Sequence, residues 1–92
     1  MTYNVIFSEV FKNDIQTHFK SGNKKLVAKV ETLVKELYEH PRSGTGKPEQ
    51  LKGYNIESWS RRIDSKHRLV YEIYENELNV IAISAYGHYG EK

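Results

Sequence analysis

The chain has 92 residues and no cysteine. That length closes one hydrophobic core and not two, so residues 1–92 are expected to form a single domain without disulfides or cysteine-rich zinc sites. The formal net charge of +2 is too mild to name a partner, and no apolar run reaches the roughly 18 residues of a membrane span or builds a basic and apolar leader. These features suit a cytoplasmic protein with no membrane role.

Tyr3, Val5 and Phe7 alternate with Asn4 and Ile6, the pattern of an opening strand. Ser8 offers an N-cap oxygen, and Phe11, Ile15 and Phe19 follow at helical spacing, predicting a first helix from about Ser8 to Lys20. Ser21-Gly22-Asn23 breaks it. A second helix carries Leu26, Val30, Leu33, Val34 and Leu37 on one stripe and stops before Pro41. From Pro41 to about Tyr54 the chain is rich in glycine, proline and charge and reads as a surface loop. Three strands follow, near Ile56–Ile63, His67–Tyr74 and Leu78–Tyr86, joined by Asp64-Ser65-Lys66 and Glu75-Asn76-Glu77. Connections this short allow only antiparallel neighbours. The expected fold is α+β: two N-terminal helices packed on one face of a twisted, mainly antiparallel four-stranded sheet.

If both connections are three-residue hairpins, the register follows by counting, and a slip of one residue would turn every side chain over. Arg62 then opposes Arg68, Tyr74 opposes Leu78, and Arg68 opposes Ser84. Trp59, Leu69, Tyr71, Ile73, Ile81 and Ile83 share the face the helices cover. Ser58, Ser60, Arg62, Arg68, Glu72, Ser84 and Tyr86 share the other, and the same parity carries His88 to it.

Charge is concentrated in this region: Arg42 to Arg68 holds seven basic residues against three acids, while the remainder is net acidic. Two arginines directly opposite on a sheet repel, so either solvent screens them or an anion lies between them. Cleavage of RNA without a metal requires a base for the ribose 2′-hydroxyl, a cation for the phosphate and an acid for the departing 5′-oxygen. Glutamate, arginine and histidine suit these roles near neutrality. The acids Glu9, Asp14 and those of the second helix read as solvated faces, with no histidines at ligand spacing, so no metal is expected. His18 and His40 read as helix-end residues and His67 as structural.

The loop Gly44-Thr45-Gly46-Lys47-Pro48-Glu49-Gln50-Leu51-Lys52, the stretches Trp59-Ser60-Arg61-Arg62-Ile63 and His67-Arg68-Leu69-Val70-Tyr71, and the terminal His88-Tyr89 occur in an order that resembles the YoeB toxins of the RelE superfamily. The resemblance spans essentially the whole chain. It implies that Glu49 matches the family's general base, Arg68 its transition-state arginine, His88 its general acid and Tyr89 its substrate-positioning tyrosine. Lys52 and Arg62 match basic residues that hold RNA, and Lys47 and Arg61 beside them complete the expected RNA-binding set. It further implies cleavage of messenger RNA in the ribosomal decoding (A) site without a cofactor, and neutralisation by a YefM-like antitoxin protein, with a homodimer left open. One departure is the continuation Gly90-Glu91-Lys92 beyond Tyr89. The rival readings are a ParE-like toxin that acts on a topoisomerase by protein contact, and a plain RNA-binding domain.

Overall fold

The computed structural model describes residues 2–87. In chain order these form β1 (Asn4–Phe7), α1 (Glu9–Lys20), α2 (Lys24–Leu37), β2 (Glu49–Leu51), β3 (Glu57–Arg62), β4 (Arg68–Tyr74) and β5 (Asn79–Ser84). The strands make one sheet in the order β1-β5-β4-β3-β2, with β1 parallel to β5 and the other pairs antiparallel. Among the described residues the sheet thus has five strands where four were expected. The extra one is β2, three residues at the end of a glycine- and proline-rich stretch, too short for alternation to reveal.

Local chemistry starts both helices. The Ser8 hydroxyl accepts from the Phe11 N–H (3.0 Å) and donates to the Ile83 carbonyl (2.7 Å), capping α1 and tying it to the sheet. Asn23 caps α2 in the same way through the Leu26 N–H, 3.2 Å away. Leu26, Val30, Leu33 and Leu37 of α2 and Phe11 of α1 are buried against Leu69, Tyr71, Ile73, Val80 and Ala82 of the sheet. Each leucine so buried contributes about 1.5–3 kcal/mol. The stripe of α1 differs from expectation: Phe19 is exposed and His18 is buried. His18 lies seven residues from Phe11, two helical turns on, and so shares its face more closely than Phe19 does.

The first hairpin has the expected register, with Arg62 opposite Arg68 and the Ile63 N–H bonded to the His67 carbonyl at 2.9 Å. Asp64 builds this turn itself, accepting from the Lys66 and His67 N–H groups at 2.8 Å each.

The second connection takes one residue more than expected. Leu78 joins the turn in the left-handed region (φ 54°) and donates to the Glu75 carbonyl, so Tyr74 pairs with Asn79 rather than Leu78. Val80 and Ala82 therefore fill the core, in place of Ile81 and Ile83. A bulge then intervenes: Tyr71 pairs with Ala82 but Val70 with Ser84, leaving one extra residue in β5. The bulge restores parity, so Ser84 returns to the open face, opposite Val70 rather than Arg68. The long turn and the bulge each shift the register by one, and their effects on parity cancel beyond Ile83.

Candidate active site

The open face is organised by cross-strand pairing. Partners directly opposite in adjacent strands point the same way, so Glu49 of β2, paired with Ser60, shares a face with Arg62 of β3 and Arg68 of β4. Short, buried side chains, Ser60 of β3 and Val70 of β4, lie beside them at the level of Glu49. The Glu49 carboxylate comes within 4.0 Å of the Arg68 guanidinium, at the outer limit of an ion pair. Glu49 is largely exposed and Arg68 one-fifth exposed, so both can be reached from solvent. A carboxylate held this loosely keeps lone pairs free to accept a proton, and the arginine keeps donors free for an anion.

Lys47 and Lys52 flank Glu49, and both are exposed, as is Arg62. Lys47 adopts φ 51°, an uncommon conformation for a side-chain-bearing residue, at the entry to β2. Its neighbour Gly46 is required by close approach: a Cβ there would stand 3.0 Å from the Arg62 carbonyl, while the Arg62 N–H donates to the Gly46 carbonyl at 2.7 Å.

Arg61 does not belong with these residues. It is fully buried, on the helix-facing side of β3. Its Nε donates to the Tyr71 hydroxyl (3.0 Å), and its guanidinium reaches Glu36 Oε1 (2.6 Å) and the carbonyls of Ser43 (2.8 Å), Thr45 (3.2 Å) and His40. Period-two alternation carries the signal that separates it from Arg62: if Arg62 faces out, Arg61 faces in. Every donor that RNA would need is already engaged in holding the loop that leads to β2.

Glu36, expected on a solvated helix face, is the other half of this anchor, accepting from the Thr45 N–H (2.8 Å) and hydroxyl (2.6 Å). Burial works against its charge, but the Thr45 and Arg61 hydrogen bonds outweigh that and hold its carboxyl below the ordinary value. Its stabilisation is therefore complete above the ordinary carboxylate range and is lost as pH falls through the depressed value. Glu36→Gln should lower the denaturant midpoint at about pH 7, with the gap to the parent protein narrowing towards about pH 3. A gap independent of pH would show that the carboxylate charge contributes nothing.

Arg42, also in the basic segment, is taken up internally. It grips Glu57 through two hydrogen bonds (2.8 and 3.0 Å) and reaches Glu75 at 2.9 Å. Asp14, read as a solvated acid, accepts from the Ala85 N–H at 2.8 Å. Tyr86 packs with His18 of α1 and with His67, and so is not part of the open arginine face. His88 and Tyr89 lie outside the described residues.

Two helices packed on a mixed five-stranded sheet, among the described residues, make the fold of the YoeB/ParE-type toxins. The model of a family described as the YoeB-like toxin of bacterial type II toxin-antitoxin systems matches residues 7–89. The chain belongs to that family. It is 40% identical over 78 residues to the toxin YoeB of a Synechocystis strain, covering 85% of this chain and 90% of the relative. A YoeB/ParE toxin from Agrobacterium tumefaciens superposes with a TM-score of 0.84 at 29% identity, covering 94% of this chain and 99% of that one. YoeB of Staphylococcus aureus, solved as a dimer, has a TM-score of 0.78 at 34% identity, covering 97% and 100% of the two chains. The same toxin, solved in a heterotetramer with YefM, gives 0.75 at 34% identity with the same coverage.

Proposed function

We propose that this toxin is an endoribonuclease that cuts messenger RNA by metal-independent transesterification. The observation that carries the reading is the 4.0 Å approach of Glu49 to Arg68 on an open face rimmed by Arg62, Lys47 and Lys52. Glu49 removes the proton of the ribose 2′-hydroxyl, whose oxygen attacks the adjacent phosphorus. Arg68 holds the phosphoryl oxygens as negative charge builds on them. His88 gives a proton to the departing 5′-oxygen, and Tyr89 positions the substrate. The P–O5′ bond breaks as the P–O2′ bond forms, leaving a 2′,3′-cyclic phosphate and a 5′-hydroxyl. Arg62, Lys47 and Lys52 hold the RNA backbone, with the repulsion between Arg62 and Arg68 relieved by the phosphate.

In the proposed setting the target is messenger RNA in the ribosomal A site and the neutralising partner is a YefM-like antitoxin; the second is supported by the Staphylococcus aureus relative, solved in a heterotetramer with YefM. The dimer of that relative makes a second copy of this chain a further partner to test. Replacing the ribose at the cut nucleotide by deoxyribose should stop cleavage, because the nucleophile is gone. A chelator should leave the chemical step unchanged on a ribosome-free RNA oligonucleotide. Cleavage of the deoxy substrate would overturn the mechanism, and intact transcripts with blocked DNA replication on expression would favour a ParE-like action.

A further inference from the structure

The hydrogen bonds that fasten the end of β5 pass from the strand ladder to side chains just before the chain reaches His88. The Ala85 N–H donates to Asp14 Oδ2 and the Ala85 carbonyl accepts from His18 Nε2, each at 2.8 Å, so α1 takes both backbone groups of this residue. Two residues on, the Gly87 N–H donates to His67 Nδ1 at 2.9 Å, and its carbonyl accepts from the Arg68 N–H at 3.0 Å. Between them the Tyr86 ring stacks on His18 with centroids 5.2 Å apart and lies 4.8 Å from His67. The two imidazoles meet edge to face at 4.6 Å.

This arrangement costs burial of a polar ring, since His18 is only 3% exposed. It also fastens Gly87 directly to the backbone of Arg68, the arginine assigned to the phosphate. Partners assign the tautomers: a carbonyl only accepts, so His18 carries hydrogen on Nε2, and an amide only donates, so His67 Nδ1 bears a lone pair.

We infer that His18, Asp14 and His67 are positioning residues, clasping Ala85–Gly87 so that the segment leading to His88 is held against the backbone of Arg68. The inference rests on the reading of His88 as general acid. His67 makes the clasp sensitive to protonation, because an imidazolium carries hydrogen on both nitrogens and would confront the Gly87 N–H with another donor. Several groups face the pair. The Asp64 carboxylate, held close by the backbone N–H of His67 at 2.8 Å, favours a charged ring. His18 at 4.6 Å disfavours a second positive charge, Asp14 of α1 binds the Ala85 N–H, and Tyr86 presents its ring. Closure belongs to the neutral ring.

The test follows the Gly87 amide by NMR hydrogen exchange in the full chain, alongside single-turnover cleavage of an RNA oligonucleotide. In the parent protein, Gly87 protection should be present at about pH 7.5 and lost by about pH 5.5. His67→Ala should lose it at both and lower the cleavage rate at saturating RNA about 10-fold, with the half-saturating RNA concentration unchanged within about twofold. His67→Asn, whose Oδ1 can accept in place of Nδ1 but does not titrate, should restore the rate and keep Gly87 protected at both pH values. Protection that persists in His67→Ala, or that does not change with pH in the parent, overturns the clasp. So does loss of protection with an unchanged rate. The parent measurement requires no variant, so a His67→Ala chain that fails to fold does not block the test. Undiminished cleavage by His88→Ala would instead overturn the acid assignment, a result distinct from failure of the clasp.

Discussion

Arg68→Ala should lower messenger RNA cleavage by about 10²-fold or more while the protein stays folded. The group removed is the cation within 4.0 Å of the Glu49 carboxylate, where the proposed mechanism has charge building on the phosphoryl oxygens. Losing one preorganised donor at such a point typically costs about 10²–10³ in rate. Stability should hold or rise, because the substitution also removes a like charge placed directly opposite Arg62. Lysine is not an equivalent replacement, since it is a point charge without the paired donors of a guanidinium. Glu49→Ala and His88→Ala should each fall in the same range. Their combination should fall far short of the product, because residues acting in one proton-transfer system are not additive. Rates from single-turnover cleavage, read beside thermal unfolding, decide the matter. An undiminished rate removes that residue from the chemistry, and a lowered unfolding temperature for Arg68→Ala would contradict the repulsion argument.

Arg61→Ala should have the opposite profile, costing about 3 kcal/mol of stability. Removing one partner of a buried ion pair typically costs about 3–5 kcal/mol. The lower end applies because the Glu36 side chain is one-quarter exposed and water can reach it once Arg61 is gone. The carbonyls of His40, Ser43 and Thr45 and the Tyr71 hydroxyl lose a donor at the same time. For a domain of this size that corresponds to roughly 12 °C or more in Tm. Arg62→Ala, one residue along and exposed, should change stability by no more than about 0.5 kcal/mol. It should instead weaken RNA binding and flatten its salt dependence. Equal effects of the two substitutions on Tm would mean that the inward and outward assignments of these arginines are wrong.

The contrast between these neighbours shows where the sequence is legible. Both belong to one basic segment and one stretch of family resemblance, and charge cannot separate them. Alternation can: the parity that turns Arg62 outward turns Arg61 inward, where it needs an acid, and Glu36 supplies it from a helix whose acids read as solvated. The Glu49–Arg68 approach was legible only by resemblance. No local pattern marks Glu49-Gln50-Leu51 as a strand, because its pairing partners lie in β3.

The sequence alone determined what interactions within a few residues control. Ser8 and Asn23 start helices by capping their own first turns, the leucine stripe of α2 fixes its buried face, and Asp64 folds its own turn and sets the register that places Arg62 against Arg68. Tertiary structure decided the rest: the edge strand carrying Glu49, the left-handed Leu78 that lengthens the second turn, the bulge that restores parity, and the burial of His18. Each is disfavoured or unmarked locally and is stabilised by partners distant in the chain. A non-glycine residue at positive φ costs of order 1 kcal/mol. That strain and the unpaired residue of the bulge are offset only once Val80, Ala82 and Ala85 fill the core against the helices.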